Sequence, residues 1–158
     1  MSVTVTRDNA KNVIAAIQDM AKKHVLVGIP SSENGRNDGS IGNAALGAIH
    51  ENGSGVRNIP ARPFLKPGVA AAADQCVKVL KSAAQNAFTD KNAIDKGLNA
   101  AGLIAQASVK KRIVSQEGFT PLKAATLAAR KRKGAKGEKA LIRTGQLLNS
   151  ITYVVREK

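Results

Sequence analysis

The stretch "LIRTGQLLNSITYVVREK", Leu141–Lys158, changes its period part-way along. Its first half predicts a short helical turn capped by Thr144. From Ile151 the pattern alternates, with Ile151, Tyr153 and Val155 facing one way and Thr152, Val154 and Arg156 the other, as a half-buried strand requires. Toward the other end, "HVLVGI" (His24–Ile29) is short and β-branched, and the polar run "PSSENGRNDGSIGN" follows it. Strands at both ends with helices between predict an α+β fold: a small antiparallel sheet packed with two long helices and several shorter ones. No internal repeat is present, and residues 1–158 read as a single domain with mobile loops near 30–42 and 131–140.

Between the strands, periodicity predicts the helices. In "DNAKNVIAAIQDMAK" (Asp8–Lys22), Val13, Ile14, Ile17, Met20 and Ala21 form one stripe. "NAALGAIHENG" makes about two turns, with Asn43 as N-cap and Gly53 as the left-handed terminator. A long helix over Val69–Phe88 carries Val69, Ala73, Cys76, Val77, Leu80, Ala84 and Phe88 in phase, and Pro63 and Pro67 fit only its lead-in or first turn. A second, from about Asn92 to Val114, repeats Ile94, Leu98, Ala101, Ala105, Val109 and Ile113, with small residues that let another helix approach closely. Thr120 and Pro121 read as N-cap and first position of a shorter helix running toward Arg130.

Composition narrows the function. With no Trp, one Tyr and three Phe, the core is aliphatic and modest, and association is expected to complete it. A net charge of +14 attracts polyanions: nucleic acid, an acidic protein surface or anionic lipid. Apolar runs fall far short of the ~20 residues that span a bilayer, and "MSVTVTRDN" lacks the pattern of a secretion signal, so a soluble protein without membrane contact is expected. Cys76 stands alone in an apolar phase and reads as an inert thiol.

Catalysis is not expected. His24 and His50 are the only histidines, and "IHENG" resembles half of a zinc-binding H-E-x-x-H but has Ser54 where the second histidine would stand. The glycines of "GRNDGSIGN" lack the Gly-Lys-Ser/Thr of a phosphate cradle, and the acids are scattered. No metal or cofactor is expected. Lys110, Lys111 and Arg112, then Arg130, Lys131, Arg132, Lys133 and Lys136, are candidates for contact with DNA or an acidic partner, although the near absence of rings argues against base stacking.

One stretch remains, "ENGSGVRNIPARPFLKPGV" (Glu51–Val69). A free Pro/Gly linker gains nothing from large apolar residues, so Ile59, Phe64 and Leu65 are expected to dock, with Pro60 and Pro63 holding the segment extended. The docking surface is either the chain's own core or a neighbouring subunit.

Together, "LGAIHENGSGVRNIPARPFLKPGV" and "LIRTGQLLNSITYVV" resemble the tail-completion and neck proteins of tailed bacteriophages, over nearly all of Leu46–Val155. Ile59, Pro60, Ala61, Arg62, Pro63 and Phe64 match the first motif, and Leu141, Ile142, Thr144, Gly145, Leu147, Ser150 and Ile151 the second. Arg143 departs from the acidic residue more familiar before Thr-Gly. The resemblance implies a non-catalytic virion protein, made in the host cytoplasm, that forms a homo-oligomeric ring, hexameric in expectation, at the junction of head and tail. Its implied partners are connector, tail-tube and tail-terminator proteins. On this reading Ile59, Pro60, Arg62, Pro63, Phe64 and Leu65 anchor the loop or the interface. Two other readings stand beside it: a tail terminator or head-closing connector of the same machine, and a cytosolic protein binding nucleic acid non-specifically.

Overall fold

A computed structural model describes residues 10–36, 41–134 and 137–158. Helix α1 (Ala10–Lys22) runs directly into strand β1 (Lys23–Gly28), and a 3-10 turn at Ser31–Glu33 precedes α2 (Asn43–Asn52). Two long helices follow, α3 (Leu65–Asn86) and α4 (Ala93–Ser115), then α5 (Ala124–Arg132), α6 (Gln146–Ser150) and β2 (Thr152–Glu157). The fold is α+β: β1 and β2 pair antiparallel, with Val25 opposite Val155 and Val27 opposite Tyr153.

The sheet lies against α4, which also packs along α3 and so forms the centre of the molecule. Ile94, Leu98, Ala101, Ala105, Val109 and Ile113 are all buried, the stripe that helical spacing predicts. On the sheet, alternation places Val25, Val27, Val155 and the ring of Tyr153 toward α4, while Leu26 on the opposite face is exposed. Apolar packing divides in two. Phe64, Val109, Ile113, Leu141, Leu147 and Ile151 fill one end, and Ala87, Ala93, Ile94 and Leu98 the other.

The face of α3 differs from expectation. Gly68, Ala72 and Ala83 are buried against α4, whereas Val69, Val77 and Phe88 are exposed. The cause is the closeness of the two helices. A Cβ on Gly68 would lie 2.7 Å from Val109 Cα, and one on Gly97 would overlap the Cβ of Ala83. Contact at this distance admits only small side chains, so the larger ones rotate outward. Ser108 Oγ donates to Gly68 O at 2.7 Å across the same seam. Cys76 is half-buried there, its Sγ 3.5 Å from Ala101 O, and burial pushes the thiol above its ordinary pKa, consistent with an inert group.

Three further expectations change. In α1, Ile14 and Ile17 are exposed and only Ala16 and Met20 reach the core, while the side chain of Val13 lies outside the described residues. The helix is instead fixed by Lys23, whose ammonium pairs with Asp19 at 2.9 Å and Asp95 at 2.7 Å. Asn43 is the first residue of α2 and not its cap, because its side chain is occupied by Glu33 O, Gly35 O and Arg36; Asn34 Oδ1 accepts from Ala44 N in its place. Helix α5 starts at Ala124, not at Thr120–Pro121, since the carbonyls of both residues accept hydrogen bonds from Arg62 and hold that segment outside the helix. Gly53, with φ +76°, ends α2 as the sequence predicts.

Tyr153 offers a local test of packing. Its ring covers Gly102, where a Cβ would overlap it, and its hydroxyl bonds Asn99 Oδ1 at 3.1 Å. Gly102→Ala must tilt the ring, and we expect a loss of about 1–2 kcal/mol. With no Trp and a single Tyr in the chain, intrinsic fluorescence reports this ring alone, so a changed folded-state spectrum should accompany the lower urea midpoint.

Candidate functional site

The two sequence motifs meet in space. After α2, Ser54 and Ile59 exchange backbone hydrogen bonds at 2.8 and 2.9 Å, which closes a small hairpin with Val56 fully exposed at its tip. The chain then runs without regular secondary structure through Pro60 and Pro63 into α3. Ile59, Pro60, Pro63 and Leu65 are half-buried, and Phe64 is only 2% exposed within the chain's own core, beside Leu147 and Ile151 of the second motif.

Glu51 secures this segment. Its Oε2 accepts from the backbone N–H of Phe64 at 2.7 Å and of Leu65 at 2.9 Å, and its Oε1 from that of Lys66 at 3.0 Å. Pro67, third in α3, has no N–H, and Gly68 N donates to Phe64 O. One carboxylate therefore satisfies the free donors of the first turn, in the place that the helix dipole favours. Sequence reasoning missed this residue because it belongs to another helix.

Arg62 is buried, 5% exposed. Its backbone N–H donates to His50 O at 2.7 Å, and its guanidinium donates to Thr120 O at 2.8 Å and Pro121 O at 3.3 Å. It acts as an internal strut between α2 and the approach to α5. Burial depresses its pKa, as it does for Arg130, where the charges of Arg143 and Arg62 add to the effect. Arg130 Nη1 donates to Gly137 O at 3.2 Å and Lys139 O at 2.9 Å, and so anchors the far side of the basic segment.

These groups line a pocket of about 220 Å³. Arg36, His50, Arg62, Arg130 and Arg143 meet there with Leu46, Leu122, Leu141 and Leu147, and Thr144, Gly145 and Gln146 complete the wall. Among the described residues no acidic side chain is in the lining. The Thr144 hydroxyl is a distant 3.5 Å from Gln146 N, so it is not the expected cap; Gly145, at φ +78°, makes the turn into α6, and buried Ser150 closes that helix through Leu147 O at 2.9 Å. Lys131, Arg132 and Lys133 point outward and are exposed at the end of α5, while Lys136 lies outside the described residues.

His50 registers the field of this pocket. Burial, then the charges of Arg62, Arg130 and Arg36, hold its imidazole below the ordinary 6.5. The folded chain therefore keeps it neutral, whereas the unfolded chain takes up the proton more readily. The resulting stability is full above 6.5 and declines as pH falls through that value toward the depressed one. Urea midpoints measured between about pH 8 and about pH 5 should show this loss, and His50→Gln should flatten it.

Among the described residues no group of three or more His, Cys, Asp or Glu is placed to hold a metal ion, and no helix is long and apolar enough to cross a membrane. In comparisons with known proteins, the chain matches no family model, no curated protein and no solved structure.

Proposed function

We propose that this chain is a structural subunit of the neck of a tailed bacteriophage, one that completes the tail and helps join it to the head as a hexameric ring. The observation that carries the reading is the convergence of the two motif segments. "IPARPFL" and "LIRTGQLLNSI", far apart in sequence, share one core through Phe64, Leu141, Leu147 and Ile151. That convergence makes the pair a single structural signature, as an assembly unit shared within one family would require.

Exposed apolar side chains support assembly as well. Leu26 on the open face of the sheet, Val77 on α3, Phe88 in the turn that follows it and Leu103 on α4 leave surface for neighbours to cover. The exposed Lys131, Arg132 and Lys133 then face a DNA channel or an acidic neighbour, which offsets the repulsion within each subunit. On this reading the protein's place is the virion, and its contacts are connector, tail-tube and terminator proteins.

The test combines solution size with phage assembly. The purified chain should form a ring, measured by native mass spectrometry, and reversing the charge of Lys131, Arg132 and Lys133 should lower the yield of particles with joined tails. A stable monomer that binds DNA with a steep salt dependence, and unchanged tail joining in the charge-reversed phage, would overturn the proposal in favour of a nucleic-acid-binding protein.

A further inference from the structure

We propose that the pocket formed by Arg36, His50, Arg62, Arg130 and Arg143 is a binding site for a carboxylate presented by an acidic side chain of another protein. The inference is independent of the neck assignment and rests on the chemistry of the lining.

Four guanidinium groups converge from the loop before α2, the segment before α3, α5 and the turn before α6, and among the described residues no carboxylate lies in the lining. The hydrogen-bond partners of the Arg62 and Arg130 guanidiniums are backbone carbonyls, which accept hydrogen bonds but carry no compensating charge. Each guanidinium has five N–H donors, so donors remain on both after those bonds are made. His50 Nδ1 is also buried in this wall with no hydrogen-bond partner among the described residues. An imidazole nitrogen free to donate beside concentrated positive charge describes a site shaped for a polar anion.

The same lining separates carboxylate from phosphodiester. Leu46, Leu122, Leu141 and Leu147 form the apolar share of the wall, which suits the methylene stem of a glutamate. A nucleic-acid backbone presents its phosphates between hydrated sugars, and it suits an open basic surface such as Lys131–Lys133 better than a leucine-walled recess.

Arginine Nε–Hε resonances of the full chain provide the test, titrated at low salt with N-acetylglutamate N-methylamide, its glutamine counterpart and dimethyl phosphate. The expected result is a saturable shift of the pocket arginines with the glutamate probe and none with the glutamine probe. Arg130→Gln should weaken glutamate binding about tenfold, and Arg130→Lys, which keeps the charge but loses the fork, should fall between. Circular dichroism of both variants checks that they remain folded, and Arg62→Gln serves in the same role should Arg130→Gln not fold. No saturable shift, an equal response to the glutamine probe, or unaltered binding by the folded variants would overturn the proposal. Saturation by dimethyl phosphate without response to glutamate would overturn it too, and assign the pocket to a nucleic-acid backbone.

Discussion

Phe64→Ala is expected to reduce the free energy of unfolding by about 3–5 kcal/mol, the range for removing a buried ring from a core. Phe64 is 2% exposed and belongs to the cluster of Val109, Ile113, Leu141, Leu147 and Ile151, with Gly47 of α2 also at its edge. The substitution leaves a cavity where α2, the segment before α3, α4 and α6 meet, and few side chains nearby can fill it, because the chain has only three Phe and no Trp. Small domains are stable by about 5–15 kcal/mol, so the variant is expected to be partly unfolded near physiological temperature. Equilibrium urea unfolding followed by circular dichroism measures the loss. A variant that keeps its full unfolding midpoint, yet no longer forms larger species, would show that Phe64 serves a neighbour and not its own subunit.

Glu51→Ala should cost about 2–3 kcal/mol, more than an ordinary N-cap, because one carboxylate accepts three backbone N–H groups. Without it those donors turn to water where they can, and the N–H groups of Phe64 and Leu65 are only partly accessible. Glu51→Gln keeps the shape and one accepting oxygen but turns an amide donor toward the remaining N–H, so roughly half of the loss is expected. Hydrogen exchange separates this effect from general destabilisation. The amides of Phe64, Leu65 and Lys66 should lose protection first, while those in the middle of α4 follow only the global change.

Much of the fold was written in local pattern. The stripe of α4, the alternation of β2 and the glycine stop of α2 each depend on near neighbours in sequence, and the structure has them as expected. Features set by distant partners did not show. Hydrophobic phase favoured Val69, Val77 and Phe88 as the inner face of α3, but the approach of α4 selected Gly68, Ala72 and Ala83. Thr120–Pro121 has the residues of a helix start, yet Arg62, from the other half of the chain, claims its carbonyls.

The candidate site was visible only in pieces. Arg62, Arg130, Thr144 and Gly145 stood out by motif or charge, whereas Arg36 and His50 carried no signal as members of one pocket. His50 reads as a solvent-facing or interface residue because nothing within a helical turn of it suggests three arginines nearby. Five separate segments supply the lining, and no spacing rule spans them. Glu51 was similarly hidden, its role appearing only once the hairpin at Ser54–Ile59 folds the chain back over α2.

The pairing of β1 with β2 joins residues 23–28 to residues 152–157, almost the whole length of the chain apart. During synthesis β1 leaves the ribosome with no strand to meet, and the α3–α4 hairpin, built from contacts close in sequence, can form well before the sheet does. Closing so long a loop is slow compared with helix formation, so the nascent chain passes through a period in which the edges of β1 and the apolar face of α4 are both uncovered. A newly made chain is thus most exposed to wrong partners until β2 has been made and has paired, and retaining that strand decides whether it escapes aggregation.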